Sequence, residues 1–360
     1  MRQAKRIVIA AGGTAGHVVP ALAVADALRA EGADVSFVGA GRAEAELVPA
    51  AGYELHTLSV EGLSRSNPLL AVRALLRAAL AFAAARRLLR HLRPDAVMGG
   101  GGYVAGPVAL AAVTLRIPVV LTEADSHMGL SNRLLAPFAA RVCVAFPLAR
   151  GRLRRRWRGR VLVTGRPVPA STRPLDGARE RLGIAAHETY VLVFGGSLGA
   201  RSINRAAVDA FSGSAFRVVH ISGRRDYAEL RARELPEGYE LREYLTHQEF
   251  ADALAAADLV VARAGGSVFE IAAHGVPAIL VPYPYAAGGH QDSNARWMAD
   301  AGAAVVIADD ELTGPRLARQ VAALLADRPG LAAMAAASRA LARPDAAREV
   351  AAQLLEVAGG

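Results

Sequence analysis

The chain has 360 residues, 53% hydrophobic and 21% charged, which is enough for two domains with full cores and excludes a disordered or low-complexity protein. No apolar run reaches the ~18 residues a bilayer span needs, because Arg77 and Arg116 interrupt the two richest stretches. With nothing signal-like before strand residues begin at Ile7, a cytoplasmic protein is expected. The net charge of +9 is uneven: residues 1–160 hold 22 Lys and Arg against 10 Asp and Glu, a net +12, which leaves −3 for residues 161–360. That asymmetry predicts an anionic partner for the first half, whether nucleic acid, an anionic membrane surface or a phosphorylated substrate.

Strand-like apolar runs at 6–10, 34–38, 54–60, 95–98, 118–122 and 141–145 alternate with helix-period segments. Leu69 to Arg93 reads as one helix, with Leu75, Phe82 and Leu89 in heptad spacing and Arg86, Arg90 and Arg93 on another face. Cys143, the single cysteine, lies in the apolar run Val142-Cys143-Val144 and reads as a buried strand residue rather than a nucleophile. The Arg- and Pro-rich stretch from Pro147 to Pro174 breaks the rhythm and sets the expected boundary, with one domain over 1–160 and another over 161–360. Strands resume near 190–194, 216–222, 239–244, 258–262, 277–281 and 303–307; helices rich in Ala, Leu and Arg follow from Thr313, the last of them expected to return to the first domain. Alternation of this kind predicts an α/β fold of parallel sheets covered on both faces.

A strand running into a glycine loop opens each half: Ile7-Val8-Ile9-Ala10 into Gly12-Gly13-Thr14-Ala15-Gly16-His17, and Val191-Leu192-Val193-Phe194 into Gly195-Gly196-Ser197-Leu198-Gly199. Such a loop, closed by a helix, offers unpaired backbone N–H groups to an anion, or is simply a tight turn. Two matching loops favour the anion. Late in the chain, Arg263-Ala264-Gly265-Gly266-Ser267-Val268-Phe269-Glu270 adds a third loop with a carboxylate one turn into its helix, and His290-Gln291-Asp292-Ser293-Asn294 follows. Glu270 is placed to accept both hydroxyls of a ribose, or is a solvated helix residue. In open α/β sheets ligands sit beyond the carboxyl ends of the strands, so all these loops are expected along such edges. Gly100-x-Gly102-x-x-Ala105 with Glu123 downstream fits a dinucleotide fingerprint only weakly, since it follows a strand deep in the domain rather than its first.

Taken together, Gly12 to His17, Gly100-Gly101-Gly102-Tyr103-Val104-Ala105-Gly106-Pro107, Gly195 to Ala200, Arg263 to Glu270 and His290 to Asn294 resemble, in order and over essentially the whole chain, the MurG family of peptidoglycan glycosyltransferases. The resemblance implies two Rossmann-like domains facing across a cleft (GT-B fold) and transfer of N-acetylglucosamine from UDP-N-acetylglucosamine to lipid I, giving lipid II. It implies that the second domain holds the donor: Ser197 and the loops at Gly265, Gly266 and Ser267 at its diphosphate, Glu270 at the ribose, Gln291 at the sugar. Thr14, Ala15, Gly16 and His17 would border the acceptor and the reacting carbon. The chain departs from the family at Glu123-Ala124-Asp125, where Glu-Gln-Asn is usual, and at Gly165-Arg166-Pro167-Val168-Pro169, where Gly-Asn-Pro-Val-Arg is usual. Asp125 and Arg166 are therefore the residues expected to take over those donor contacts. The loop before Glu270 is one residue short of the family's, and the uracil contact falls between Leu245 and Phe250.

Inverting transfer needs a base for the acceptor hydroxyl and stabilisation of the departing diphosphate. His17 suits the first role, or else caps its helix. No Asp-x-Asp occurs in the sequence, so neither metal nor cofactor is expected. The basic segments, the helix above and Arg152 to Arg160, suit the cytoplasmic face of an anionic cell membrane, where the enzyme would be peripheral; they are otherwise a solvated surface, and no nucleic-acid module accompanies them. Three other readings share these features: a related transferase with another lipid or metabolite acceptor, a UDP-sugar 2-epimerase, and a nucleotide-sugar sensor without turnover.

Overall fold

The computed structural model describes residues 4–59, 68–151, 159–169, 176–196 and 198–359; of residues 68–78, Arg150 and Ala287 it describes the backbone only. Ser197 and the arginines from Arg152 to Arg158 lie outside the described residues, as does the Leu75 side chain. Every strand expected from the sequence forms; most are trimmed at one or both ends, while those expected at 34–38, 95–98 and 118–122 run one residue further, to Gly39, Gly99 and Glu123. All pair in parallel.

The chain divides into two compact units, Met1–Pro169 with Arg343–Gly360, and Ala170–Ala342. The first is built from β1 (Arg6–Ala10), α1 (Ala15–Ala30), β2 (Asp34–Gly39), α2 (Ala43–Ala50), β3 (Glu54–Thr57), α3 (Pro68–Leu92), β4 (Ala96–Gly99), α4 (Gly102–Thr114), β5 (Val119–Glu123), α5 (Leu130–Leu135), β6 (Arg141–Val144), α6 (Pro147–Gly151) and β7 (Val161–Val163). Its seven strands lie in the order β3-β2-β1-β4-β5-β6-β7. This unit continues past residue 160 because β7 pairs with β6, Val142 opposite Val161. Three apolar residues directly after an arginine run are too short a signal to read as a strand.

The second unit runs α7 (Ala178–Arg181), β8 (Tyr190–Phe194), α8 (Arg201–Phe211), β9 (Arg217–Ile221), α9 (Tyr227–Arg231), β10 (Tyr239–Arg242), α10 (His247–Ala256), β11 (Leu259–Ala262), α11 (Val268–His274), β12 (Ala278–Leu280), α12 (His290–Asp300), β13 (Ala304–Val306), α13 (Gly314–Ala326) and α14 (Arg328–Ala340). Its strand order is β10-β9-β8-β11-β12-β13. All five residues of β8 are buried, as a central strand covered on both faces requires. The last helix, α15 (Ala346–Ala358), returns to the first unit and packs on α1, β4 and β5. Val350, Ala351 and Leu354 join the apolar core there, and Arg141 holds the helix through Gln353 and Glu356.

The strand orders fix where ligands go. In the first sheet the order reverses between β1 and β4, which are paired neighbours with Ala10 opposite Gly99. In the second it reverses between β8 and β11, with Phe194 opposite Ala262. Loops leaving such a pair in opposite directions open a crevice at the carboxyl edge. The four glycine-rich loops are those that leave β1, β4, β8 and β11.

Candidate functional site

In the first unit, the loop after β1 carries His17 into the first turn of α1, where the Thr14 carbonyl accepts from His17 N at 3.0 Å and from Val18 N at 3.3 Å. The loop after β4 fits against it: a Cβ on Gly102 would run into the Gly12 carbonyl, and one on Gly101 into the His17 ring. Only glycine allows this contact, and Gly101 and Gly102 hold positive φ of 99° and 78°. Thr14, Ala15 and Gly16 are exposed at the rim, and Thr14 Oγ1 lies 3.4 Å from His17 Nδ1. Arg166 Nη2 donates to the Gly16 carbonyl at 2.8 Å, across 150 residues of sequence. Burial lowers the pKa of His17 below its ordinary value; Asp125 opposes that shift and Arg166 adds to it. His17, Asp125 and Arg166 therefore form one electrostatic group, in which burial and Arg166 favour the neutral imidazole against Asp125.

Glu123 is committed elsewhere. Its carboxylate accepts from Gly129 N at 2.8 Å, Asn132 Nδ2 at 3.0 Å and Asp125 N at 3.2 Å, and so shapes the loop that carries Asp125. Behind His17 a cavity of about 20 Å³, lined by Pro20, Val24, Met98, Cys143 and Val350 among others, has room for one water. Burial pushes the Cys143 thiol up to about 12, so it packs as an inert strand residue.

In the second unit, Gly265, Gly266 and Ser267 form the turn between β11 and α11, and Glu270 is half-buried in the helix's first turn. Gln291, in the first turn of α12, accepts from Tyr283 N through Oε1 at 2.9 Å, and its Nε2 faces Gly265. One amide thus bonds the loop after β12 and stands beside the loop after β11. Asn294, fully buried, donates to the Ala264 carbonyl at 3.0 Å and ties α12 to the same loop.

Two supports of this unit were not assigned from sequence. Arg263, buried, donates to the carbonyls of Val281 and Pro282 at 3.1 Å, to Asp309 Oδ1 at 2.5 Å and to Ser202 Oγ at 2.9 Å, with its guanidinium 5.5 Å from the Tyr283 ring. Beneath the loop after β8 runs a buried polar chain: His220 contacts Tyr239 Oη through Nδ1 at 2.7 Å and Asn204 Oδ1 through Nε2 at 3.0 Å. Asn204 Nδ2 then donates to the Ser222 carbonyl and to Asp226 Oδ2, both at 2.9 Å. Burial would raise the Asp226 pKa, but Arg225, Arg201 and Asn204 bring it below the usual carboxylate range. The four bonds made by His220 and Asn204 each join residues at least sixteen apart, which leaves no local pattern to read.

Models of two families match the chain: the glycosyltransferase family 28 N-terminal domain over residues 7–144 and the glycosyltransferase family 28 C-terminal domain over residues 190–350. A curated relative from Moorella thermoacetica, named UDP-N-acetylglucosamine--N-acetylmuramyl-(pentapeptide) pyrophosphoryl-undecaprenol N-acetylglucosamine transferase, is 42% identical over 357 residues, covering 95% of this chain and 96% of its own. The crystal structure of Acinetobacter baumannii MurG aligns with a TM-score of 0.78 at 31% identity, over 98% of this chain and 100% of that one. A UDP-GlcNAc 2-epimerase from Neisseria meningitidis, solved with UDP-GlcNAc bound, aligns with a TM-score of 0.69 over 98% of this chain and 100% of that one, but at 13% identity it shares the fold alone. With two parallel α/β units in the GT-B arrangement of strands and near-complete coverage by such relatives, the chain belongs to the MurG family of glycosyltransferases.

Proposed function

We propose that the protein transfers N-acetylglucosamine from UDP-N-acetylglucosamine to the MurNAc hydroxyl of lipid I, undecaprenyl-pyrophosphoryl-MurNAc-pentapeptide, with inversion, giving lipid II and UDP. The observation that carries this reading is the 42% identity, end to end, to a relative named for that reaction. The second unit holds the donor: the turn at Gly265, Gly266 and Ser267, with Ser197, which follows Gly196 in sequence, takes the diphosphate, Glu270 takes the ribose, and the Gln291 amide takes the sugar. The first unit supplies the base. With Nδ1 donating to Thr14 Oγ1, the lone pair of His17 stands on Nε2 and accepts the acceptor's proton as its oxygen bonds to the anomeric carbon and the sugar–phosphate bond breaks. Thr14, Ala15 and Gly16 border that hydroxyl, and Arg166 and Asp125 set the charge around the imidazole.

The acceptor's lipid calls for a peripheral position on the cytoplasmic face of the cell membrane. What supports it is the exposure of Leu80, Leu110, Leu130, Leu134 and Phe138 on or just after α3, α4 and α5, which pack side by side in the unit that holds the basic excess. Among the described residues no helix is long and apolar enough to cross a membrane.

The test is incubation with UDP-N-acetylglucosamine labelled in the sugar, in three arms: lipid I, diacylglycerol, and no acceptor. Labelled lipid II in the first arm alone is expected. Labelled glycolipid in the second overturns the acceptor, and UDP-N-acetylmannosamine in the third makes the protein an epimerase.

A further inference from the structure

We infer that Glu44 is a positioning residue for transfer: its buried carboxylate clamps the first glycine loop, and through that loop sets the ring of His17. The inference rests on the reading of His17 as the acceptor's base.

Glu44 projects from the first turn of α2 and is 0% exposed. Oε2 accepts from Gly13 N at 2.9 Å and Oε1 from Ala40 N at 2.6 Å, so one carboxylate joins the loops that leave β1 and β2. No ion pair to it occurs among the described residues. Burial alone would raise its pKa, but the backbone amides around it, its own and those of Gly13, Ala40 and Arg42, reverse the shift and keep it below the ordinary carboxylate range. A buried anion held only by amides is costly unless its geometry is fixed. The chain makes room for it: a Cβ on Gly12 would stand 2.7 Å from Oε1, and one on Gly39 would meet the Glu44 side chain.

The constraint continues to His17. Gly13 is pinned at its N–H, the next residue, Thr14, accepts the first bonds of α1 from His17 and Val18, and the His17 ring lies against Gly101. Releasing Gly13 frees the turn on which the imidazole stands. Among the described residues the loop after β8 in the second unit shows no such carboxylate: a Cβ added to its Gly199 would first meet the Ser222 carbonyl, and one on its Gly195 would meet Ala200. Glu44 therefore serves the first unit's loop alone.

Glu44→Gln keeps the shape but turns an NH₂ toward one of the two amides, so that one clamp bond is lost. For Glu44→Gln, kcat is expected to fall about 10- to 100-fold, the size of a sub-ångström to ångström misplacement of a reacting group. The KM for UDP-N-acetylglucosamine should stay within about twofold, and hydrogen exchange at the Gly13 amide should speed up at least about tenfold. Glu44→Asp, one methylene short but still charged, should lie between, and provides the same readouts if the glutamine variant does not fold. In a His17→Asn background Glu44→Gln should add less than about twofold, because both changes act on one step. Wild-type kcat for Glu44→Gln beside a slow His17→Asn overturns the Glu44 assignment alone, as do fully multiplicative losses in the double variant. Wild-type rates for His17→Asn overturn the base itself, and the inference with it.

Discussion

An imidazole that stays neutral until about pH 4 sits in the core of the second unit. His220 is 0% exposed, donates from Nε2 to Asn204 Oδ1 and accepts on Nδ1 from Tyr239 Oη, so a second proton would turn the phenol O–H away and leave a charge in a dry core. Burial takes its pKa down to about 4. Since the unfolded ring titrates near 6.5, the unfolded chain binds a proton the folded one refuses throughout the window from 6.5 to 4, and stability falls as pH falls through it. From pH 7.5 to pH 5 this one residue should remove about 2 kcal/mol. His220→Gln, which can keep one bond and cannot titrate, should be less stable than the parent at pH 7.5 but lose about 2 kcal/mol less on acidification, in urea unfolding at the two pH values. Parallel pH dependences for parent and variant would mean that the ring is protonated in the fold. His17 obeys the same physics at the edge of the other unit, where burial likewise lowers its pKa.

At the level of elements, the loops after β4 and β8 are set by close backbone approach, whereas a side chain, Glu44, holds the loop after β1. Gly199 has φ of 77°, and a Cβ there would run into the Ser222 carbonyl that Asn204 also binds. Gly199→Ala therefore carries both the left-handed penalty, roughly 1–2 kcal/mol, and a clash that must move the loop after β8. A lower unfolding temperature together with weaker UDP binding by calorimetry is the expected pair of results; a variant that unfolds earlier but binds UDP with parent affinity would show that this loop does not reach the nucleotide. The glycine loops were legible because a buried parallel strand reads as an unbroken apolar run, as Tyr190 to Phe194 does, and the punctuation after it is local. Strand order was not legible, since alternation implies a parallel sheet without saying which strands are neighbours. Nor was Glu44, whose bond to Gly13 spans 31 residues, or the placing of Arg166 on Gly16. Motifs announce what the backbone does in sequence, whereas a clamp is made by topology.

For the molecule as a whole, the basic excess and the exposed Leu80, Leu110, Leu130, Leu134 and Phe138 belong to the same unit, and the two would act on a membrane by different laws. Arg86 is half-buried and Arg87, Arg90 and Arg93 are exposed, while Leu89 is buried and Phe82 packs on the core, so the last turns of α3 direct their arginines outward and Phe82 and Leu89 inward. Leu134 and Phe138, in and just after α5, are 63% and 64% exposed, with Arg133 exposed beside them. Attraction of basic side chains to anionic lipid is worth about 1 kcal/mol each and is screened within ~8 Å at physiological ionic strength. Burying a leucine or phenylalanine in the interface, at roughly 1.5–3 kcal/mol when complete, is not screened. Arg86→Gln, Arg90→Gln and Arg93→Gln together should therefore weaken sedimentation with anionic vesicles at low salt and change little at high salt. Leu134→Ser with Phe138→Ser should cost at least about tenfold at both. UDP-N-acetylglucosamine affinity should be unmoved in either set, because the loops read here as the donor site lie in the other unit. If both sets sediment like the parent at every salt concentration, this face does not meet the lipid and the acceptor must be drawn from the bilayer by another surface.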